Sequence, residues 1–207
     1  MNASSRLCPD NHHNRREANW SPEWLQNAIL TDCVFAGLFD ACGRFDDDVI
    51  GGLEAILPMY RKNGLDTLLY IQSRYCGELV ASKAVGVYHL KWTGVEALLI
   101  YALMQDYGVT KPLEFGYRFN NINNQWVGGF FAGTGAISIE KSRYPVISLT
   151  RRAEPELLQE ISKIFGGTMH GKVLKWFGKK AVQHISETVV LFSLQRQCEI
   201  VDLFLKK

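Results

Sequence analysis

Two apolar runs of nearly the same shape, ninety-two residues apart, constrain this chain more than any other feature. The first is Val34-Phe35-Ala36-Gly37-Leu38-Phe39-Asp40-Ala41, stopping near Gly43. The second is Trp126-Val127-Gly128-Gly129-Phe130-Phe131-Ala132-Gly133-Thr134-Gly135. Each reads as a helix with small residues four apart, Gly37 and Ala41 in one, Gly129 and Gly133 in the other. That spacing makes a smooth stripe on one face, along which two backbones can approach closely. Glycine inside a helix costs about 1 kcal/mol relative to alanine. Packing of the two stripes against each other is the natural compensation, so these four residues are predicted to form a helix-pair interface.

The repetition continues downstream. Leu68-Leu69-Tyr70-Ile71, ending at Cys76-Gly77, resembles Leu158-Gln159-Glu160-Ile161, ending at Gly166-Gly167, at a separation of 90. Leu90-Lys91-Trp92-Thr93-Gly94 resembles Leu174-Lys175-Trp176-Phe177-Gly178 at a separation of 84. Three blocks in one order make a duplicated chain: a polar tail over 1–20, a first repeat over 21–119, a polar linker over 120–124 and a second repeat over 125–207. Ser21-Pro22-Glu23 opens a short helix with a cap and a proline in its first turn. The first repeat then reads as helix 32–42, strands 44–49 and 53–60, helix 65–76, strands 78–83 and 86–92, and helix 94–106. The second reads as helix 124–133, strands 135–141 and 145–151, helix 154–165, strands 167–170 and 172–177, and helix 179–190. Ala136-Ile137-Ser138-Ile139-Glu140 alternates strictly, which buries one strand face and leaves the other polar. The fold class is α+β, helices backing antiparallel sheets whose outer faces are free.

Composition enters as a set of exclusions. The chain of 207 residues is 47% hydrophobic and 21% charged, which excludes a disordered tail. The longest apolar stretch, Ala97 to Met104, falls short of the roughly 20 residues of a membrane span, and no membrane partner is expected. The first nineteen residues lack an apolar core, so no secretory signal is read there, and Asp10 and Glu17 weaken an organelle presequence. Cys8, His12 and His13 lack a fourth ligand for zinc. Five cysteines without a pairing pattern point to a reducing compartment. Net charge is only +2, but residues 1–140 hold 11 Lys and Arg against 15 Asp and Glu, whereas residues 141–207 hold 12 against 6. A polyanion should therefore prefer the second half.

Phe35 to Gly43 (FAGLFDACG) and Val127 to Gly135 (VGGFFAGTG) resemble the two signature helices of the LAGLIDADG homing endonucleases and maturases. The resemblance extends over roughly 21–207 through repeat order and linker. It implies a duplicated αββαββα fold, two curved antiparallel sheets forming a saddle around a central helix pair, in a monomer with internal pseudo-twofold symmetry. In the family, the eighth signature position is Asp or Glu, and the two carboxylates hold the divalent metals of DNA hydrolysis. Here those positions are Cys42 and Thr134. A thiol is a soft ligand and a threonine is neutral, while Mg²⁺ requires hard anionic oxygens. No catalytic residue, metal or cofactor is therefore expected. Asp40, at the sixth position, points about 200° away from the eighth and does not replace it.

Nucleic-acid contact is read elsewhere. Arg44-Phe45-Asp46-Asp47-Asp48 sets three acids where the first sheet would meet phosphates. Lys141, Arg143, Arg151 and Arg152 around one hairpin of the second half, and Lys172, Lys175, Lys179 and Lys180 around the other, suit phosphate contacts. His89, His170 and His184 have no nucleophile at a recognisable spacing, and Trp92 and Trp176 read as core. The expected function is a non-catalytic RNA-binding component of an organellar ribonucleoprotein, most simply ribosome-associated, in the mitochondrion or alternatively the chloroplast. Its partners would be organellar rRNA or intron RNA and neighbouring ribonucleoprotein subunits. An intron-splicing maturase is the alternative, an active DNA endonuclease is disfavoured by Cys42 and Thr134, and a protein-only module is favoured if the acidic first sheet is the occupied face.

Overall fold

The computed structural model describes residues 30–47, 52–111, 116–140, 144–151 and 154–181, together with 183. The expected helix at 21–30, the tail and the segment after 183 lie outside the described residues.

The order of elements follows the duplication. In the first half it is α1 (Asp32–Cys42), β1 (Arg44–Asp47), β2 (Leu53–Tyr60), α2 (Arg61–Tyr75), β3 (Glu78–Ala81), β4 (Val87–Thr93) and α3 (Gly94–Tyr107). A 3-10 turn at Phe119–Asn121 leads into the second half: α4 (Asn124–Thr134), β5 (Gly135–Glu140), β6 (Tyr144–Thr150), α5 (Pro155–Phe165), β7 (Thr168–His170) and β8 (Val173–Phe177). Residues 178–181 are again helical. Each half folds its strands into an antiparallel four-stranded sheet, ordered β1-β2-β4-β3 in one and β5-β6-β8-β7 in the other. Among the described residues no helix is long and apolar enough to cross a membrane.

Local chemistry explains the boundaries. Thr31 caps α1 by accepting from the Val34 amide at 3.2 Å, and Asn123 caps α4 by accepting from Gln125 and Trp126 at 3.0 Å each. The last linker residue, Asn124, is thus already helical. Helix α2 begins at Arg61, four residues earlier than the sequence pattern indicates. Gly64 permits this, because a Cβ there would lie 2.5 Å from Met59 Cβ. The turns after α2 and α5 are twins. Gly77 (φ +92) and Gly167 (φ +99) follow the helices, and a Cβ on either would lie 2.8–2.9 Å from the indole of Trp92 or Trp176. Those indoles donate to Tyr75 O at 2.8 Å and to Phe165 O at 3.1 Å, locking each helix end to its sheet. Both tryptophans are core, as their repeat positions indicate.

At the centre, α1 and α4 pack along their small-residue stripes. A Cβ added to Gly37 would sit 2.0 Å from Trp126 O, and one on Gly129 would sit 1.8 Å from Val34 O. Farther along, a Cβ on Gly133 would meet Ala41 Cβ at 2.5 Å. Only residues without side chains let the two backbones touch at this distance. Phe35, Leu38, Phe39, Trp126 and Phe130 fan outward from the pair into one continuous core shared by both sheets. Among the described cysteines, Cys76 departs from the expectation of unpaired thiols in being disulfide-bonded, whereas Cys33 and Cys42 are free thiols.

Candidate functional site

Both central helices end at the same level, so their C-terminal carbonyls and partial negative charge converge at the base of the pair. At Cys42 the thiol donates back to Leu38 O at 3.3 Å, and burial pushes it up to about 11, leaving it neutral at physiological pH. The Thr134 hydroxyl donates back to Phe130 O at 3.1 Å. Both side chains are thus folded onto their own helices. Beside them lies a cavity of ≈ 190 Å³ lined by Cys42, Pro58, Met59, Tyr60 and Gly133 among others, and none of its described lining residues carries a carboxylate.

Two cations occupy the end of α1. The Lys111 ammonium donates to Phe39 O at 3.1 Å, to Asp40 O at 3.0 Å and to Gly43 O. The Arg151 guanidinium donates to Ala41 O at 2.7 Å, pairs with Glu154 at 3.0 Å and lies 6.0 Å from the Phe130 ring centroid. Cations at a helix C-terminus complement its dipole. A neutral thiol, a hydroxyl and two fixed cations do not fit a hard divalent metal, which needs anionic oxygens. Among the described residues no cluster of His, Cys, Asp or Glu could hold a metal ion.

Lys111 is held there by Asp40. This carboxylate is fully buried in α1 and accepts from five donors: the amides of Val109 (2.6 Å), Thr110 (3.1 Å) and Lys111 (2.9 Å), the Thr110 hydroxyl (2.8 Å) and the Trp126 indole (2.9 Å). Burial pushes the Asp40 carboxyl up and the Lys111 ammonium down, and their mutual attraction opposes both shifts. With both oxygens serving only as acceptors, the arrangement favours the ionised carboxylate. Asp40 therefore ties together the connector between the halves, α1 and α4. Nothing in one dimension marks Lys111, which stands inconspicuously between Gly108 and Pro112; the one available signal is an acid in the middle of an apolar helix, which demands buried partners.

The outer sheet faces differ in charge. On the first, Arg44 pairs with Asp46 at 2.7 Å and Lys91 with Glu54 at 2.8 Å. His89 between them is pushed down by partial burial, with Arg44 and Lys91 adding to the shift, so it contributes no cation at neutral pH. On the second, Lys175 stands on β8 near Phe177, Lys172 is exposed in the β7–β8 turn, and Lys179 and Lys180 are exposed just beyond β8. The side chains described on that face include no carboxylate. Lys172 thus precedes β8, Lys175 lies on it and Lys179 and Lys180 follow its other end, whereas Arg151 is turned inward to the helix base. Lys141, Arg143 and Arg152 lie outside the described residues.

This architecture, two four-stranded saddles on a glycine-rich helix pair, is the fold of the LAGLIDADG homing endonucleases. The meganuclease I-AabMI, solved bound to uncleaved DNA, superposes with a TM-score of 0.58 at 13% identity, over 86% of this chain and 92% of its own. The homing endonuclease I-LtrWI, solved bound to target DNA, gives 0.60 at 13% identity over 85% and 91%. I-SmaMI, solved with an uncleaved DNA target in the presence of calcium ions, gives 0.57 at 14% identity over 86% and 90%. No protein-family model and no curated protein matches the sequence.

Proposed function

We propose that this protein is a non-cleaving nucleic-acid-binding scaffold, an RNA-binding component of an organellar ribonucleoprotein built on an endonuclease fold. The observation that carries the reading is the base of the helix pair. Cys42 and Thr134 stand where metal-binding acids would stand, and Lys111 and Arg151 bring positive charge to the same end. Among the described residues a metal-dependent hydrolysis has no ligand cluster to begin from.

The charge asymmetry favours RNA. A saddle that grips one long duplex needs cations on both halves, but on the first sheet Arg44 and Lys91 are paired with Asp46 and Glu54, and Lys83 stands exposed only in the β3–β4 turn. A patch concentrated on the second half suits a ridge of phosphates on a folded RNA. The first half offers a different surface. Helix α3 exposes Val95 (74%), Leu98 (57%) and Leu99 (37%). The equivalent of Leu99, 84 residues later, is the exposed Gln183, and that of Val95 is the exposed Lys179. Leu98 corresponds to the equally apolar Val182, so the fold does not require Val95 and Leu99 to be apolar, and their exposure supports contact with a neighbouring protein subunit. Ribosome association and a mitochondrial location, or alternatively a chloroplast one, follow from the family resemblance and belong to the same proposal. A splicing maturase is its runner-up.

Purified protein is incubated with plasmid DNA and with RNA in Mg²⁺ or Mn²⁺; intact substrates and salt-sensitive RNA binding are expected. The K172E/K175E variant should reduce the slope of log K against log salt by about 1.4 for two lost phosphate contacts. Metal-dependent cutting would overturn the reading. Crosslinking in the native source separates the settings, a ribosomal RNA marking the scaffold and a single intron transcript the maturase.

A further inference from the structure

We propose that Cys76 is a redox-controlled covalent anchor, whose disulfide fastens a sequence-distant segment of this chain, through Cys8 or Cys198, to the end of α2. Cys76 is bonded in a disulfide, whereas Cys33 and Cys42 are free thiols. The chain holds two further cysteines, both outside the described residues: Cys8, 68 residues before Cys76, and Cys198, 122 residues after it. Either pairing closes a long loop onto the first repeat. The inference stands apart from the RNA-binding reading and does not depend on it.

The duplicated fold shows that the cysteine is there for its thiol. Cys76 caps the end of α2 with φ 57 and ψ −146. Among the described residues it is the only one other than glycine at positive φ. The equivalent position, 90 residues later, is Gly166 at the end of α5, with φ 69 and ψ −158. The turn therefore calls for glycine, and a side chain there strains the backbone. Packing does not compensate. A Cβ on Gly166 would meet no described atom within 4 Å, and Cys76 is neither in the hydrophobic core nor packed against it. A residue that costs stability at its backbone and adds none to the core is explained by the bond it makes. Its backbone is well held: the Cys76 amide donates to Gln72 O at 2.9 Å, and the Tyr75 carbonyl accepts from the Trp92 indole at 2.8 Å. Closing the bond takes two protons and two electrons from two thiols. Oxidised glutathione accepts them and leaves as two glutathione thiols. Dithiothreitol reverses the step and ends as its own cyclic disulfide. The anchor is thus closed in an oxidising compartment and open in a reducing one.

The test uses the full chain equilibrated with oxidised glutathione, then unfolded in iodoacetamide, digested without reductant and read by mass spectrometry. A Cys76 peptide joined to the Cys8 or the Cys198 peptide is expected, with Cys33 and Cys42 alkylated. Cys76→Gly installs the residue that the second half uses, so the variant should fold without the bond. Closing a loop of this length should raise Tm by roughly 5–20 °C. Dithiothreitol should lower the wild-type Tm by that amount and leave the Tm of C76G unmoved. An alkylated or glutathionylated Cys76, or a bond from it to Cys33, Cys42 or a second copy, overturns the proposal. So does a wild-type Tm that dithiothreitol leaves unchanged, or a fall that C76G shares.

Discussion

Replacing Asp40 with asparagine tests whether one buried carboxylate holds the two halves and their connector in place. The amide keeps one acceptor oxygen. If that oxygen faces Thr110 and Lys111, as Oδ1 does, the amide nitrogen faces the Val109 N–H and the Trp126 indole N–H, donor against donor. Two buried donors left without acceptors cost about 1–3 kcal/mol each, hence about 2–6 kcal/mol together. Lys111 loses its buried counter-charge as well, which adds to the penalty. For a chain of this size a kilocalorie shifts Tm by about 2–4 °C, so a fall of roughly 5–20 °C is expected. Asp40→Ala, which deserts all five donors, should fail to give folded protein. Differential scanning calorimetry on wild type, D40N, W126F and the double variant reads both the fall and the coupling. A fall under about 2 °C, or additive effects of D40N and W126F, would refute the reasoning, since contacting partners couple by about 0.5–3 kcal/mol.

Alanine at Gly37 or Gly129 raises helix propensity by about 1 kcal/mol, yet each new Cβ would meet a carbonyl oxygen of the opposing helix at 2.0 or 1.8 Å. A net loss of at least about 2 kcal/mol is expected from urea denaturation, and unchanged stability would show that the backbones are not in contact. The Cys42 thiol, at about 11, lies above the ordinary 9.0, so its neutral form favours the fold fully below pH 9 and the contribution is lost as pH rises through about 11. Cys42→Ser should flatten the decline in stability across that window; an identical decline in the variant sinks the assignment. Magnesium or calcium should leave Tm unchanged. A site filled to 100 times its Kd would add about 2.7 kcal/mol, or roughly 5–11 °C, and a shift of that size would reveal an overlooked metal site.

Much of the fold was legible in the chain. Small residues four apart predicted the packed helix pair, because a stripe without side chains can be compensated only by another backbone. Alternation in β5 predicted a strand with one free face, and the matched Trp92 and Trp176 marked the core. Absence of acids at Cys42 and Thr134 was a matter of reading two letters.

What fills that place instead was not legible, because it depends on where long side chains end after the chain closes on itself. Lys111 reaches the end of α1 across 68–72 residues, and Arg151 reaches Ala41 across 110. A basic residue on a hairpin and a basic residue in a connector look alike in one dimension. Only burial and geometry turned these two inward, onto the carbonyls of a helix terminus. The same holds for Lys91 and Lys175, equivalent in the repeat, one closed by a carboxylate on the neighbouring strand and the other set beside an exposed aromatic ring. The sequence by itself determined the duplication, the layers and the central contact, since these follow from period and side-chain size. The tertiary structure decided which charges hold the molecule together and which face outward, since electrostatic partners are chosen by proximity in space.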